Sequence, residues 1–328
     1  MYGRDEFYEN VEVTKDKVQC PIKGCQTIVD RKKRGDNLTS CDIICKKHDI
    51  ELRASTFIYK NEKDNLLWYD SDDKELLDAI KKEKRESRME NNNSEDALTW
   101  NVFRFLERNN LLPDIVELIT GEREAATDLI YWSYSTKNKE DGQWGLLKNA
   151  QYEFGEMKGR GSEPDMAIET EDSIILIEAK FTSGNTTKPS KPEKSNKFYT
   201  EGANHWFNKV FKVGFNEIAV QRKRYELTRF WLLGSWMAKK ENKNFYLVNL
   251  VLDASTEKLG KTFIPYVILQ EQEPHKRVVS KLTWEKIRDE VIQNANGSEK
   301  VKMLEYFKNL TKGFSASGKV LPAFKNPV

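Results

Sequence analysis

Residues 163–181 read EPDMAIETEDSIILIEAKF, and the pairing register of this stretch decides how the rest of the chain is read. Residues 165–170 and 173–180 are rich in isoleucine, as strands favour, and are joined at Glu171-Asp172. If those two residues form the loop, Thr170 pairs with Ser173, and Asp165 then stands opposite Glu178. Directly opposed residues project to one face, with Cβ atoms about 4.5–5.5 Å apart. Lys180 lies two residues beyond Glu178 and shares that face, because strand side chains alternate with period two. One end of the hairpin therefore gathers two carboxylates and an ammonium. Behind them on the same face lie Ala167, Ile174 and Leu176; Met166, Ile168, Ile175 and Ile177 occupy the other. Both faces are apolar, which predicts a central hairpin covered on both sides.

Working outward, Ser94 is placed to cap a helix running to about residue 110, with Glu95 and Asp96 in its first turn. Leu98, Val102, Phe105 and Leu106 recur at helical spacing, and Glu95 lies on the same stripe. Helix is also expected over 74–89, 113–133, 216–240, 282–293 and 298–310. Strands are expected over 56–59, 151–157, 245–252 and 263–269, with loops at 158–163 and 182–197. Strands alternating with helices predict an α/β protein with a mixed central sheet.

The hairpin end suits phosphodiester hydrolysis. Hard cations such as Mg²⁺ or Mn²⁺ prefer carboxylate oxygen and keep positions open for water and phosphate. A neighbouring lysine can orient the attacking water and neutralise developing negative charge.

Pro164-Asp165, followed after twelve residues by Glu178-Ala179-Lys180, resembles the signature of the PD-(D/E)XK nuclease superfamily. The helix starting at Ser94 resembles that family's upstream core helix, and Gln221 with Tyr225 resembles the Q-x-x-x-Y element of its RecB-like members. The likeness covers roughly 94–252. It implies a restriction-endonuclease-like core in which Asp165 and Glu178 bind Mg²⁺, Lys180 acts on the water and Glu95 is an auxiliary metal ligand. Gln221 joins the candidate site on the same ground, and a homodimer cutting both strands is also implied. The expected activity is a Mg²⁺-dependent DNA endonuclease of restriction or defence type acting on double-stranded DNA. The alternatives are a non-catalytic nucleic-acid-binding protein on the same fold, or a nuclease for RNA or structured DNA.

All four cysteines lie between residues 20 and 45. Cys20-x4-Cys25 and Cys41-x3-Cys45-x2-His48 offer five candidate ligands for a four-coordinate structural zinc. The segment Cys45-Lys46-Lys47-His48-Asp49-Ile50 resembles the C-x-x-H-G-I end of small zinc modules, which favours Cys45 with His48, although Asp49 replaces the glycine. Between the ligand pairs, Arg31-Lys32-Lys33-Arg34 is placed to reach phosphates.

These readings divide the chain into a zinc-ribbon-like module (1–55), a connecting segment (56–93), a nuclease core (94–270) and a C-terminal helical extension (271–328). The net charge is only +2, so any nucleic-acid surface must be local. Residues 180–224 hold ten Lys or Arg against three Glu and are expected to flank the cleft. Trp206, Phe207, Phe211 and Phe215 are interleaved with them, the i, i+4 pair Phe207 and Phe211 being expected in the core. The polar, acidic start of the chain is not a secretory signal, and the longest apolar run, 230–238, is too short for a membrane span. A cytoplasmic protein is expected.

Overall fold

The computed structural model describes residues 1–31, 43–84, 87–138, 142–156, 161–271 and 275–324. The chain divides into two units, Met1–Lys74 with Ser87–Asn109 and Arg288–Val328, and Glu75–Glu86 with Asn110–Ile287.

The first unit is built from both ends of the chain. Strands β1 (Lys17–Gln19) and β2 (Ile28–Asp30) form one hairpin, and β3 (Ile44–Cys45), β4 (Ile50–Leu52) and β5 (Phe57–Tyr59) an antiparallel sheet. The division between units falls within helix α1 (Ser71–Glu83). Helix α2 (Glu95–Arg108) starts where the sequence predicts, with Ser94 Oγ accepting the Ala97 N–H at 3.0 Å.

The second unit contains α3 (Leu112–Thr120), β6 (Asp128–Tyr131), β7 (Tyr134–Ser135), α4 (Gly145–Glu153), β8 (Met166–Glu169) and β9 (Ser173–Ala179). Helices α5 (Pro192–His205) and α6 (Tyr225–Glu241), strand β10 (Asn244–Val251) and strand β11 (Arg277–Thr283) follow. Further along the chain come α7 (Trp284–Glu290), α8 (Ser298–Asn309), β12 (Thr311–Phe314) and β13 (Val320–Pro322). The β12–β13 hairpin returns to the first unit, where Val11 N–H bonds to Gly318 O at 2.8 Å and Phe314 N–H to Ser55 O at 2.7 Å. Phe314 and Val320 complete a core with Phe7, Val18 and Phe57.

A six-stranded mixed sheet in the order β11-β10-β9-β8-β6-β7 organises the second unit. Strands β9, β10 and β11 run parallel, and β8 is antiparallel to β9. Every residue of β9 is buried, as two apolar faces demand. On one face Ala167, Ile174, Leu176, Phe245 and Leu247 pack in a core with α6 residues such as Trp231 and Leu233. Gly234 makes that approach possible: a Cβ there would come within 2.2 Å of the Phe245 ring and 2.9 Å of Leu176.

Several expectations are corrected. Residues 151–156 of the expected 151–157 strand do not form one; α4 extends to Glu153, because Trp144, Leu147, Ala150 and Phe154 recur at helical spacing and are buried in the core, and residue 157 lies outside the described residues. The helix expected over 113–133 stops at Gly121, whose left-handed φ of 84° ends α3, and 128–131 is strand β6. Residues 263–269 hold a 3₁₀ turn, Ile264–Tyr266, with a single bridge from Val267 to Phe211. Pro265, at its centre, has no N–H to give a ladder. The expected helix over 216–240 is split into a π-helical turn, Asn216–Gln221, and α6, with Lys223 at φ 57° between them. The tail is not purely helical. Strand β11 adds an edge to the sheet, its alternation blurred in the sequence by Arg277 and Lys281.

Candidate active site and cysteine cluster

The predicted register is the one observed. Met166 pairs with Ile177, Ala167 with Leu176 and Ile168 with Ile175, and Thr170 N–H bonds to Ser173 O at 2.9 Å across the two-residue loop. Asp165, just ahead of β8, therefore comes level with Glu178. Its carboxylate accepts the Ala179 N–H at 2.8 Å, and its carbonyl accepts the Trp132 N–H at 3.2 Å. Lys180 continues beyond β9: its N–H bonds to Leu250 O at 2.7 Å, and its carbonyl accepts the indole N–H of buried Trp284 at 3.1 Å. Those bonds hold the lysine backbone on both sides.

The side chains converge at the carboxyl ends of the parallel strands. Lys180 Nζ lies 2.5 Å from Glu178 Oε1, and only 4% of Glu178 and 9% of Lys180 is exposed. Burial pushes the Glu178 carboxyl well above the usual range; the Lys180 ammonium pulls it down, while Asp165 and Glu226 add to the rise.

Glu226, in the first turn of α6, is a site residue that the sequence reading missed. Its Oε2 is 3.7 Å from Lys180 Nζ. No pattern announces it, because an acid in a first helical turn is common for dipole reasons alone. It is placed by lacing between residues 185–187 and 223–226. Thr187 N–H bonds to Lys223 O at 2.9 Å, Tyr225 N–H to Thr187 O at 3.2 Å, and Glu226 N–H to Thr187 Oγ1 at 3.2 Å. Behind this lacing sits a buried polar clamp. Arg224 pairs with Glu257 and donates to Asn185 O at 2.7 Å, while Glu257 accepts the Asn185 N–H at 3.2 Å. The Asn185 amide meets that of Asn249, which stands level with Glu178 on β10. A second clamp holds the approach to Asp165: Glu156 accepts from both the N–H and hydroxyl of Ser162, and Arg229 of α6 donates to that hydroxyl at 2.6 Å.

The other candidates are placed differently. Gln221 is exposed, and the break at 222–224 separates it from Tyr225, so the two do not share a helix face. Tyr225 packs edge-on against Tyr199 and Phe215 at 6.1 and 6.3 Å, as a core tyrosine does. Glu95 is half-exposed in the first turn of α2, in the first unit. In 180–224, Lys188, Lys191, Lys194, Lys197, Lys209, Lys212 and Lys223 are exposed, Arg224 is buried, and Phe207, Phe211 and Phe215 belong to the core.

In the first unit, Cys20, Cys25, Cys45 and His48 bring one ligand atom each to within 4.8 Å of one another. Cys25 Sγ is 3.7 Å from Cys45 Sγ, and His48 Nδ1 lies 3.3 Å from Cys20 Sγ and 3.6 Å from Cys45 Sγ. A tetrahedral zinc at normal bond lengths spaces two sulfurs by about 3.8 Å and sulfur from nitrogen by about 3.5 Å. The donor set could therefore hold zinc. Each pair of ligands sits on one hairpin: Cys20 and Cys25 between β1 and β2, Cys45 and His48 at the β3–β4 turn. Asp49 takes φ 53°, the left-handed conformation that the missing glycine would supply, and aspartate tolerates it. Burial, with Lys47 nearby, lowers the His48 pKa and favours the neutral imidazole that a metal needs. Cys41 and residues 32–34 of the basic tetrad lie outside the described residues.

A mixed sheet flanked by helices, with carboxylates and a lysine at the ends of its central strands, defines a restriction-endonuclease-like α/β protein. The family model described as Restriction Endonuclease associating with ARP matches residues 36–309, and the chain belongs to that restriction endonuclease family. Comparison with curated proteins and with solved structures gave no match. No helix among the described residues is long and apolar enough to cross a membrane.

Proposed function

We propose that the protein is a Mg²⁺-dependent DNA endonuclease of restriction type, cutting at the site of Asp165, Glu178 and Lys180. The observation that carries this reading is the hairpin register, which brings the two carboxylates level and leaves Lys180 Nζ 2.5 Å from Glu178. Asp165 and Glu178 offer the hard oxygen donors that Mg²⁺ takes. When bound, the metal polarises the scissile phosphate and acidifies a water. Lys180 orients that water and meets the charge that develops on phosphate. Gln221, exposed beyond a helix break, is assigned no part.

The substrate reading rests on family membership and on the exposed lysines of 188–223, which are suited to tracking a phosphate backbone. The cysteine cluster is read as a structural zinc site, since three thiols and an imidazole close its coordination shell. The test is cleavage of plasmid DNA with Mg²⁺. Lys180→Ala should abolish cutting and keep binding. If wild-type protein binds DNA but does not cut it with any divalent metal, the chain is a non-catalytic DNA-binding protein.

A further inference from the structure

Asp165 stands one residue ahead of β8, and the sheet holds its carboxyl side, where its carbonyl accepts the Trp132 N–H at 3.2 Å. Its amino side is reached through Glu163 and Pro164. Proline fixes its own φ at about −65° and drives the residue before it to extended backbone. Pro164 is also buried. The pair is therefore a short, stiff strut that carries the placement of Ser162 on to Asp165.

Ser162 is fully buried, and each of its polar groups is matched. Its N–H and its hydroxyl donate to the two carboxylate oxygens of Glu156, and the hydroxyl oxygen accepts from Arg229 Nε at 2.6 Å. Its carbonyl accepts from the Gln151 side chain at 2.8 Å. Glu156, with 5% of its side chain exposed, accepts the Tyr199 hydroxyl at 2.7 Å and lies 3.7 Å from Arg229 Nε. Gln151 belongs to α4, Tyr199 to α5 and Arg229 to α6. One partner would be enough to solvate a buried hydroxyl. Bonds traced to three helices fix where the residue sits.

Helix α6 also carries Glu226, one turn before Arg229, and Glu226 lies 3.7 Å from Lys180. One helix thus reaches both strands of the catalytic hairpin, β8 through Ser162 and β9 at its end.

We propose that Ser162 is a positioning residue for Asp165, held by Glu156 and Arg229 and acting through the Glu163-Pro164 strut. The proposal rests on the metal reading of Asp165 given above. Ser162 touches neither metal nor DNA; it sets where the Asp165 carboxylate stands beside Glu178. A misplacement of about 1 Å can cost about a hundredfold in rate, so loss of the hydroxyl is felt in the cutting step.

The experiment measures single-turnover plasmid cleavage against Mg²⁺, DNA affinity without divalent metal, and melting temperature. Wild type, Asp165→Asn, Ser162→Ala and Ser162→Thr are compared, with Val279→Ala on β11 as a core substitution away from the strut. Ser162→Ala should slow cleavage about tenfold or more and raise half-saturating Mg²⁺, with DNA affinity unchanged. Ser162→Thr, which keeps the hydroxyl, should recover most of the rate, and Val279→Ala should cut as wild type does. Should Ser162→Ala not fold, Arg229→Lys carries the same expectation, because it keeps the charge beside Glu156 and loses the Nε donor to the serine. If Asp165→Asn is inactive while the Ser162 and Arg229 variants cut within about twofold of wild type, or lose no more than Val279→Ala at equal melting temperature, the positioning role is wrong and the metal reading stands. If wild type does not cut, or Asp165→Asn cuts as wild type does, the metal reading fails and the positioning role with it.

Discussion

The carboxylate of Asp165 accepts the backbone N–H of Ala179 at 2.8 Å, which ties the first residue of the site to the strand that bears the other two. One oxygen thus serves the hairpin while the charge serves the site. Asp165→Asn keeps an oxygen to accept that N–H and removes the charge. The expected result is a loss of Mg²⁺-dependent cleavage of roughly a hundredfold or more with little change in melting temperature. Plasmid cleavage assays with thermal melts check it; an active Asp165→Asn protein would remove Asp165 from the site.

The Arg224–Glu257 pair has only 6% and 4% of its side chains exposed, and Arg224 also holds the Asn185 carbonyl. Removing one partner leaves the other charged and buried. Glu257→Gln or Arg224→Met should each cost about 3–5 kcal/mol in urea denaturation. The double variant should cost less than the sum of the two. Additive losses would show that the two charges are not coupled.

Zinc content discriminates the five candidate ligands. Cys25→Ser, Cys45→Ser or His48→Ala should lose the equivalent of zinc measured by mass spectrometry of the metal. Cys41→Ser should keep it. Each of the first three should also lower the stability of the first unit, whose core includes Cys20, Cys25 and Cys45. Retention of a full equivalent in His48→Ala would point to Cys41 as the fourth ligand.

Lys188, Lys191 and Lys194 are exposed ahead of and within the start of α5. Replacing all three by alanine should weaken DNA binding and reduce the slope of log affinity against log salt by about 1 for each phosphate that is no longer neutralised. Fluorescence anisotropy at several salt concentrations measures this. An unchanged slope would place the DNA elsewhere.

The hairpin was legible because its information is local. Isoleucine-rich strands flank a two-residue loop whose length sets the register, and a one-residue slip would put Asp165 and Glu178 on opposite faces. Helix α2 was legible through Ser94 for the same reason. Residues 151–157 were misread because isolated apolar positions fit a strand or a helix until Trp144 and Leu147 are seen to share their face. Gln221 and Tyr225 matched a spacing, but the positive φ of Lys223 interrupts the helix that the spacing presupposes.

What the sequence determined by itself is the convergence of Asp165, Glu178 and Lys180, since strand period and loop length follow from the residues of one short segment. It also narrowed the cysteine cluster to five candidate ligands, Cys20, Cys25, Cys41, Cys45 and His48. Tertiary structure decided the rest. Glu226 is 46 residues from Lys180 and reaches it because the Arg224 and Thr187 contacts bring the start of α6 to the end of β9. The first unit draws on both ends of the chain because Val11 and Ser55 bond to the β12–β13 hairpin. Contacts between distant segments depend on how whole elements pack, and no local spacing records that.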